Sequence, residues 1–108
     1  MAVAVIQEFP IEGDDRTTTN YDRVQEALDA RANPPAGGIV HTAGFDEKAG
    51  VFRIFDVWET REQGEKFIAE GLNPIIEPMA AAAEQDPGST FAPPSRESWY
   101  ELHDSMTG

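Results

Sequence analysis

Three observations predict an α+β fold in which a four-stranded antiparallel sheet carries two helices on one face. Strand-like and helical patterns follow one another along the chain in the order β-α-β-β-α-β. The two middle strand segments are separated only by the polar tip "DEKAG", whose length and Gly50 suit a hairpin. The third strand segment, "VFRIFDVW", runs directly into "ETREQ", a helix-start signal. This order is the ferredoxin-like βαββαβ arrangement, with the strands in the sequence 4-1-3-2 and the first and third at the centre. A different α+β sandwich with the same element count is the competing topology.

Each element has its own signal. Residues 2–8, "AVAVIQE", are short, apolar and followed by Pro10, as a buried strand is. After the polar loop "IEGDDRTTTN", Tyr21, Val24, Leu28 and Ala32 recur at the spacing of one helical face, with Thr18, Thr19 and Asn20 as candidate caps. "NPPAGG" ends that helix, because two prolines and two glycines cannot continue it. Residues 38–45 and 51–58 form the hairpin strands. Thr60 and Gln63 then make a T-x-x-Q capping box, and Phe67, Ile68 and Leu72 supply the buried stripe of a second helix that Gly71 is expected to end. Asn73 and Pro74 read as the cap and first residue of a further helical segment carrying Ile75, Ile76 and Met79. The loop "DPGSTFAPPSRE" leads to the fourth strand, "SWYELH".

At 108 residues the chain reads as one domain, 1–108, with a thin core. Twenty acidic residues against eight basic give a net charge of -12, a field that repels phosphates and anionic lipid head groups. Neither nucleic acid nor a membrane surface is expected as a partner. The absence of cysteine removes disulfides, thiolate metal sites and Cys nucleophiles, and fits a cytoplasmic location. The first apolar run, "AVAVI", is too short for a signal-peptide core and lacks a basic flank. Nothing in the pattern spans a membrane.

The third strand does not alternate. Val51, Arg53, Phe55 and Val57 share one face, and Phe52, Ile54, Asp56 and Trp58 share the other, so both faces are mostly apolar. Two helices cover only one face. Leaving Val51, Phe55 and Val57 in water forgoes about 1.5–3 kcal/mol for each, a sum comparable to the whole stability of a small domain, roughly 5–15 kcal/mol. A second copy packed sheet to sheet is the expected cover, so the sequence predicts a homodimer. Arg53, on the partner-facing side, needs a carboxylate such as Glu8, Glu101 or one from the other subunit.

The pattern "GGIVHTAGFDEKAGVFRIFDVWETREQGEKF", with the closing "YELH", resembles the dimeric α/β-barrel proteins related to antibiotic-biosynthesis monooxygenases, and is most similar to small, mostly uncharacterised members of that group. The likeness spans nearly the whole chain and is sharpest at "DVWETRE". It implies a small-molecule pocket between sheet and helices near the end of the third strand, with Trp58, Asp56 and Ile54 on its floor, and chemistry on a planar or aromatic metabolite without metal, flavin or other cofactor. Members that oxidise aromatic polyketides carry an Asn four positions before the Trp and a Tyr six positions after it; here those positions hold Ile54 and Gly64. Haem-degrading members carry an Asn on the first strand and an iron-ligating His about ten residues past the Trp; Gln7, Phe67 and Ile68 stand there instead, which excludes haem ligation by that route.

The candidate catalytic residues are therefore Asp56 and His41, which polarise the ligand or move protons. The candidate ligand-binding residues are Trp58, which stacks, Arg53 and Tyr100, which orient, and His103. Each has a structural alternative. Trp58 is then a core residue, Asp56 bonds backbone amides at the helix start, the histidines are hydrogen-bonded imidazoles, and Arg53 is an internal ion pair. His41 and His103 lie on opposite sheet edges, about 14 Å apart at 4.8 Å per strand, so one metal cannot bridge them within a subunit and no metal is expected. Tyr100 and Trp99 point to opposite faces, and alternation does not say which way. The face of His41 depends on the hairpin register. "DSM", residues 104–106, matches the phosphopantetheine attachment triplet of carrier proteins but has no following helices, and is read as chance. "GG" before the second strand offers no phosphate loop, since no helix starts after it. Two functions remain: an enzyme of the monooxygenase type, or a non-catalytic dimeric ligand-binding or stress-associated module. The feature that separates them is whether the space beneath Trp58 is open or filled by Phe67, Ile68 and Leu72. A pure interaction domain would need an exposed apolar patch beyond the dimer face.

Overall fold

The computed structural model describes residues 2–87, 89, 91 and 93–104. Its elements are β1 (Val3–Pro10), α1 (Thr19–Leu28), β2 (Gly38–Asp46), β3 (Val51–Trp58), α2 (Arg61–Phe67), a π turn (Ile68–Leu72), α3 (Asn73–Glu84) and β4 (Arg96–Glu101). The strands form one antiparallel sheet in the order β2-β3-β1-β4, the ferredoxin-like arrangement. Residues 105 and 106 of the "DSM" triplet lie outside the described residues.

Cross-strand register sorts the sheet into two faces. Val3 stands opposite Trp58 and Val5 opposite Asp56, while Val5 on its other side stands opposite Trp99. On that face Phe67 of α2 packs on Trp58, ring centroids 5.1 Å apart, and Tyr21 of α1 meets Phe52 edge-on at 5.4 Å. The small core lies here, around Val3, Val5 and Trp58, with Phe67 and Trp99 against it. Gly64 lets α2 come this close: a Cβ there would sit 3.0–3.1 Å from the rings of Trp99 and Trp58.

The opposite face carries Ala4, Ile6 and Glu8 of β1 beside Arg53, Phe55 and Val57 of β3. Its charge is paired as the sequence requires. Arg53 Nε donates to Glu8 Oε2 at 2.7 Å, and Arg53 Nη1 to Asp46 Oδ2 at 2.6 Å. Arg96 Nη1 reaches the second oxygen of Glu8 at 3.3 Å. Glu8 was among the expected partners and Asp46 was not; the hairpin brings Asp46 to the same end of the sheet.

Three boundaries differ from the sequence reading. The helical face stops at Leu28, short of Ala32, because Asp29 turns into the left-handed conformation that its short polar side chain tolerates. The second helix does not end at Gly71, and Asn73 is not a cap: Asn73 is itself helical, and its N–H bonds Ile68 O, five residues back. Pro74 has no N–H and crowds the carbonyl four residues before it, so a widened π turn lets one continuous rod pass the proline. β4 spans Arg96–Glu101, pairing from Glu8↔Arg96 to Val3↔Glu101, and so stops where β1 begins; His103 falls beyond it.

Candidate functional site

The hairpin sets the position of His41. Asp46 pairs with Val51 across a loop closed by Gly50 N–H to Asp46 O at 2.9 Å, with Gly50 at φ +70°. Counting back from that pair puts His41 opposite Asp56, on the helix-covered face, and a bulge at Ile39 follows only beyond Val40. His41 Nδ1 lies 2.5 Å from Asp56 Oδ1. The hydrogen bond that Nδ1–H donates to the Asp56 carboxylate holds the imidazole pKa above its ordinary value, against an opposing effect of burial. The pair is half-open, with side-chain exposures of 44% for His41 and 19% for Asp56.

A third residue completes the cluster. Tyr21, in the first turn of α1, places Oη 2.6 Å from His41 Nε2. Partial burial, and then the charges of Asp56 and Asp22, push its pKa up, so it is a neutral phenol near pH 7. The helix start is held over β2 by the preceding loop. Arg16 grips Glu47 of the hairpin loop with two hydrogen bonds, Nε to Oε1 at 3.0 Å and Nη2 to Oε2 at 2.7 Å, and its guanidinium lies over the Phe45 ring. Asp15 caps the turn through Thr17 N at 2.8 Å, and Thr18 Oγ1 bonds Asp22 Oδ2 at 2.8 Å. Tyr21 appears in the sequence as one apolar position of a helical stripe; a hydroxyl on a stripe that faces a histidine-bearing strand is the signal that points to it.

The other candidate residues lie apart from this cluster. Trp58 is 4% exposed, and Phe67 occupies the space beneath it. Trp99 faces the helices, with the Arg61 guanidinium over its ring. Tyr100 therefore faces the other way, with Arg53, and is 43% exposed. His103 is exposed beyond β4. Two open clefts stand out among the described residues. One, of about 290 Å³, opens between the π turn and β4, lined by Glu65, Ile68, Ala69, Asn73, Glu97 and Trp99. The other, about 310 Å³, lies at Thr42, Gly44, Arg53 and Phe55. No cluster of three or more His, Cys, Asp or Glu suited to a metal occurs among the described residues.

Solved structures share this architecture along the whole chain. Rv0793 from Mycobacterium tuberculosis is similar with a TM-score of 0.63 and 14% identity, covering 99% of this chain and 100% of the other. SnoaB, a cofactor-independent oxygenase from Streptomyces nogalater, aligns with a TM-score of 0.59 and 15% identity over 99% and 98% of the two chains. The monooxygenase ActVA-Orf6 of Streptomyces coelicolor, solved with nanaomycin D, aligns with a TM-score of 0.56 and 18% identity over 99% and 91%. This chain shares its fold with these three proteins. No family model and no curated protein matches the sequence.

Within that fold this chain has a departure with a visible cause. At position 64, where the polyketide-oxidising pattern has a tyrosine, the ring of Trp99 fills the space that a side chain would take. No helix among the described residues is long and apolar enough to cross a membrane.

Proposed function

We propose that this protein is a small-molecule enzyme of the cofactor-independent monooxygenase type, acting on a planar hydroxylated aromatic metabolite, with His41 and Asp56 as its acid–base pair. The observation that carries the reading is the His41 Nδ1 to Asp56 Oδ1 contact of 2.5 Å in a half-open setting, beside a tyrosine hydroxyl. An aspartate behind an imidazole fixes its tautomer and favours the protonated form, which is what proton abstraction requires. Oxygenation without a cofactor needs a substrate that becomes an electron donor on losing a proton. A ring CH2 flanked by phenolic rings, once ionised, reduces dioxygen directly. The carbon becomes a carbonyl, and the second oxygen atom leaves as water.

The likeness of fold to SnoaB and ActVA-Orf6 supports this class of reaction. The reading includes a homodimer, supported by the outer sheet face, where Ile6, Phe55 and Tyr100 share the side opposite the core and Tyr100 is exposed, and a cytoplasmic location, supported by the absence of cysteine. Light scattering is expected to give twice the chain mass at micromolar concentration; a stable monomer contradicts the dimer. Oxygen uptake with a dihydroxyanthrone tests the chemistry. His41→Ala is expected to slow it by about 10²–10⁴-fold, and an unchanged rate refutes the assignment.

A second reading has its own observation. Phe67 packed on the buried Trp58 closes the pocket expected there, which counts against an enzyme built around Trp58 and favours a non-catalytic ligand-binding dimer; the enzyme reading rests on the His41–Asp56 pair instead. Saturable binding of nanaomycin D, with no oxygen uptake from any dihydroxyanthrone, selects it.

A further inference from the structure

Both ring nitrogens of His41 are occupied. Nδ1 faces Asp56 Oδ1 and Nε2 faces Tyr21 Oη, at 2.5 and 2.6 Å. A neutral imidazole has one donor and one acceptor, and these two contacts use both, leaving nothing with which the ring can meet a ligand. The rings of Tyr21 and His41 are within 3° of parallel with centroids 6.1 Å apart. With Nδ1–H donating to the Asp56 carboxylate, Nε2 is the acceptor nitrogen, and the phenol O–H is the donor placed to meet it. Edge contact with Phe52 and the Arg16–Glu47 clamp hold the phenol in this position.

We propose that Tyr21 Oη is the atom that exchanges a proton with the ligand, and that His41 and Asp56 act behind it as a relay. This rests on the reading of His41 and Asp56 as an acid–base pair. In the forward step the acidic C–H or O–H of the ligand breaks and its proton joins Tyr21 Oη as the phenol proton passes to His41 Nε2. The ligand keeps the electron pair as its anion. Tyr21 ends as a neutral phenol, and the charge left on the protein is an imidazolium against the Asp56 carboxylate. A free phenolate is never formed, which suits a tyrosine that burial, Asp56 on β3 and Asp22 on α1 keep protonated. The ligand class follows: a weak carbon or phenolic acid that presents its proton to a hydroxyl and lies against the Tyr21 edge of α1.

The relay and direct abstraction by His41 differ in what Tyr21→Phe does. If His41 meets the ligand itself, removing the hydroxyl uncaps Nε2, and oxygen uptake with a dihydroxyanthrone is unchanged or faster. If Tyr21 is the exchanging atom, Tyr21→Phe slows the reaction by about 10²–10⁴-fold, as His41→Ala does, with the Kd for nanaomycin D unchanged. A slow His41→Ala with a normal Tyr21→Phe overturns the relay alone; normal rates in both overturn the acid–base reading as well. A second measurement on the unaltered protein needs no turnover. With ¹³C-labelled tyrosine, the Tyr21 ring Cζ signal must shift through the titration of His41, because the hydroxyl changes from donor to acceptor as Nε2 gains its proton. A Cζ signal that stays flat while His41 titrates overturns the proposal.

Discussion

His41 on β2 stands directly opposite Asp56 on β3, and the imidazole Nδ1 closes to 2.5 Å from the carboxylate. Directly opposed residues on an antiparallel pair share a face and lie close enough for short side chains to meet. A shift of one residue in the hairpin would send the imidazole to the Arg53 side and leave Asp56 without it.

This pair ties stability to pH in one direction. The folded pKa of His41 lies above the ordinary value near 6.5 because Asp56 favours the charged ring. The stabilisation is therefore fully present below about pH 6.5 and is lost as pH rises through the folded value. Thermal melts are expected to show Tm falling across that window in the wild-type chain, and the fall to vanish in Asp56→Asn. An identical pH dependence in both contradicts the pairing.

The opposite sheet face carries the reverse sign. Glu8, held by Arg53 and Arg96, and Asp46, held by the Ala49 amide and Arg53, have carboxyl pKa values below the usual range. Their contribution is present above the unfolded values near 4 and is lost as pH falls through the folded ones. Arg53→Met is expected to lower Tm at neutral pH and to shift the acid-unfolding midpoint upward. An unmoved midpoint shows that the Arg53 pairs add nothing.

The start of α2 rests on Thr60, whose Oγ1 accepts from Gln63 N at 3.2 Å. Thr60→Ala is expected to cost about 1 kcal/mol, a fall in Tm of roughly 4–8 °C for a domain near this size. Urea denaturation checks the value.

Contact between α2 and the sheet depends on the lack of a side chain at position 64. Gly64→Val forces a branched side chain toward the rings of Trp58 and Trp99. A loss of about 1–3 kcal/mol is expected from overpacking, with a changed Trp fluorescence spectrum. No loss would mean that the rings move aside freely.

Much of the fold is legible because local signals agree: the Thr60 cap, the Gly50 hairpin and the doubly apolar β3 all point to one topology. The Asn73–Pro74 pair misleads because a proline marks a helix start and a widened helical turn by the same missing N–H. The candidate site is legible only in part. Asp56 and His41 stand out as polar residues in apolar strands, but their meeting depends on register parity, which alternation in the glycine-bearing β2 does not reveal. Tyr21 is hidden for a different reason: on a helical stripe its ring reads as core, and only the three-dimensional course of α1 shows that its hydroxyl ends at His41.

The central claim is that His41, backed by Asp56, drives proton abstraction from a hydroxyaromatic ligand. The most direct test is the pH dependence of kcat/KM for oxygen uptake with a dihydroxyanthrone, in the wild-type chain and in Asp56→Asn. The account predicts a limb rising with pH through the elevated pKa of His41, and in Asp56→Asn a limb displaced to lower pH with a rate reduced by about 10²-fold or more. A profile that is the same in both proteins contradicts it.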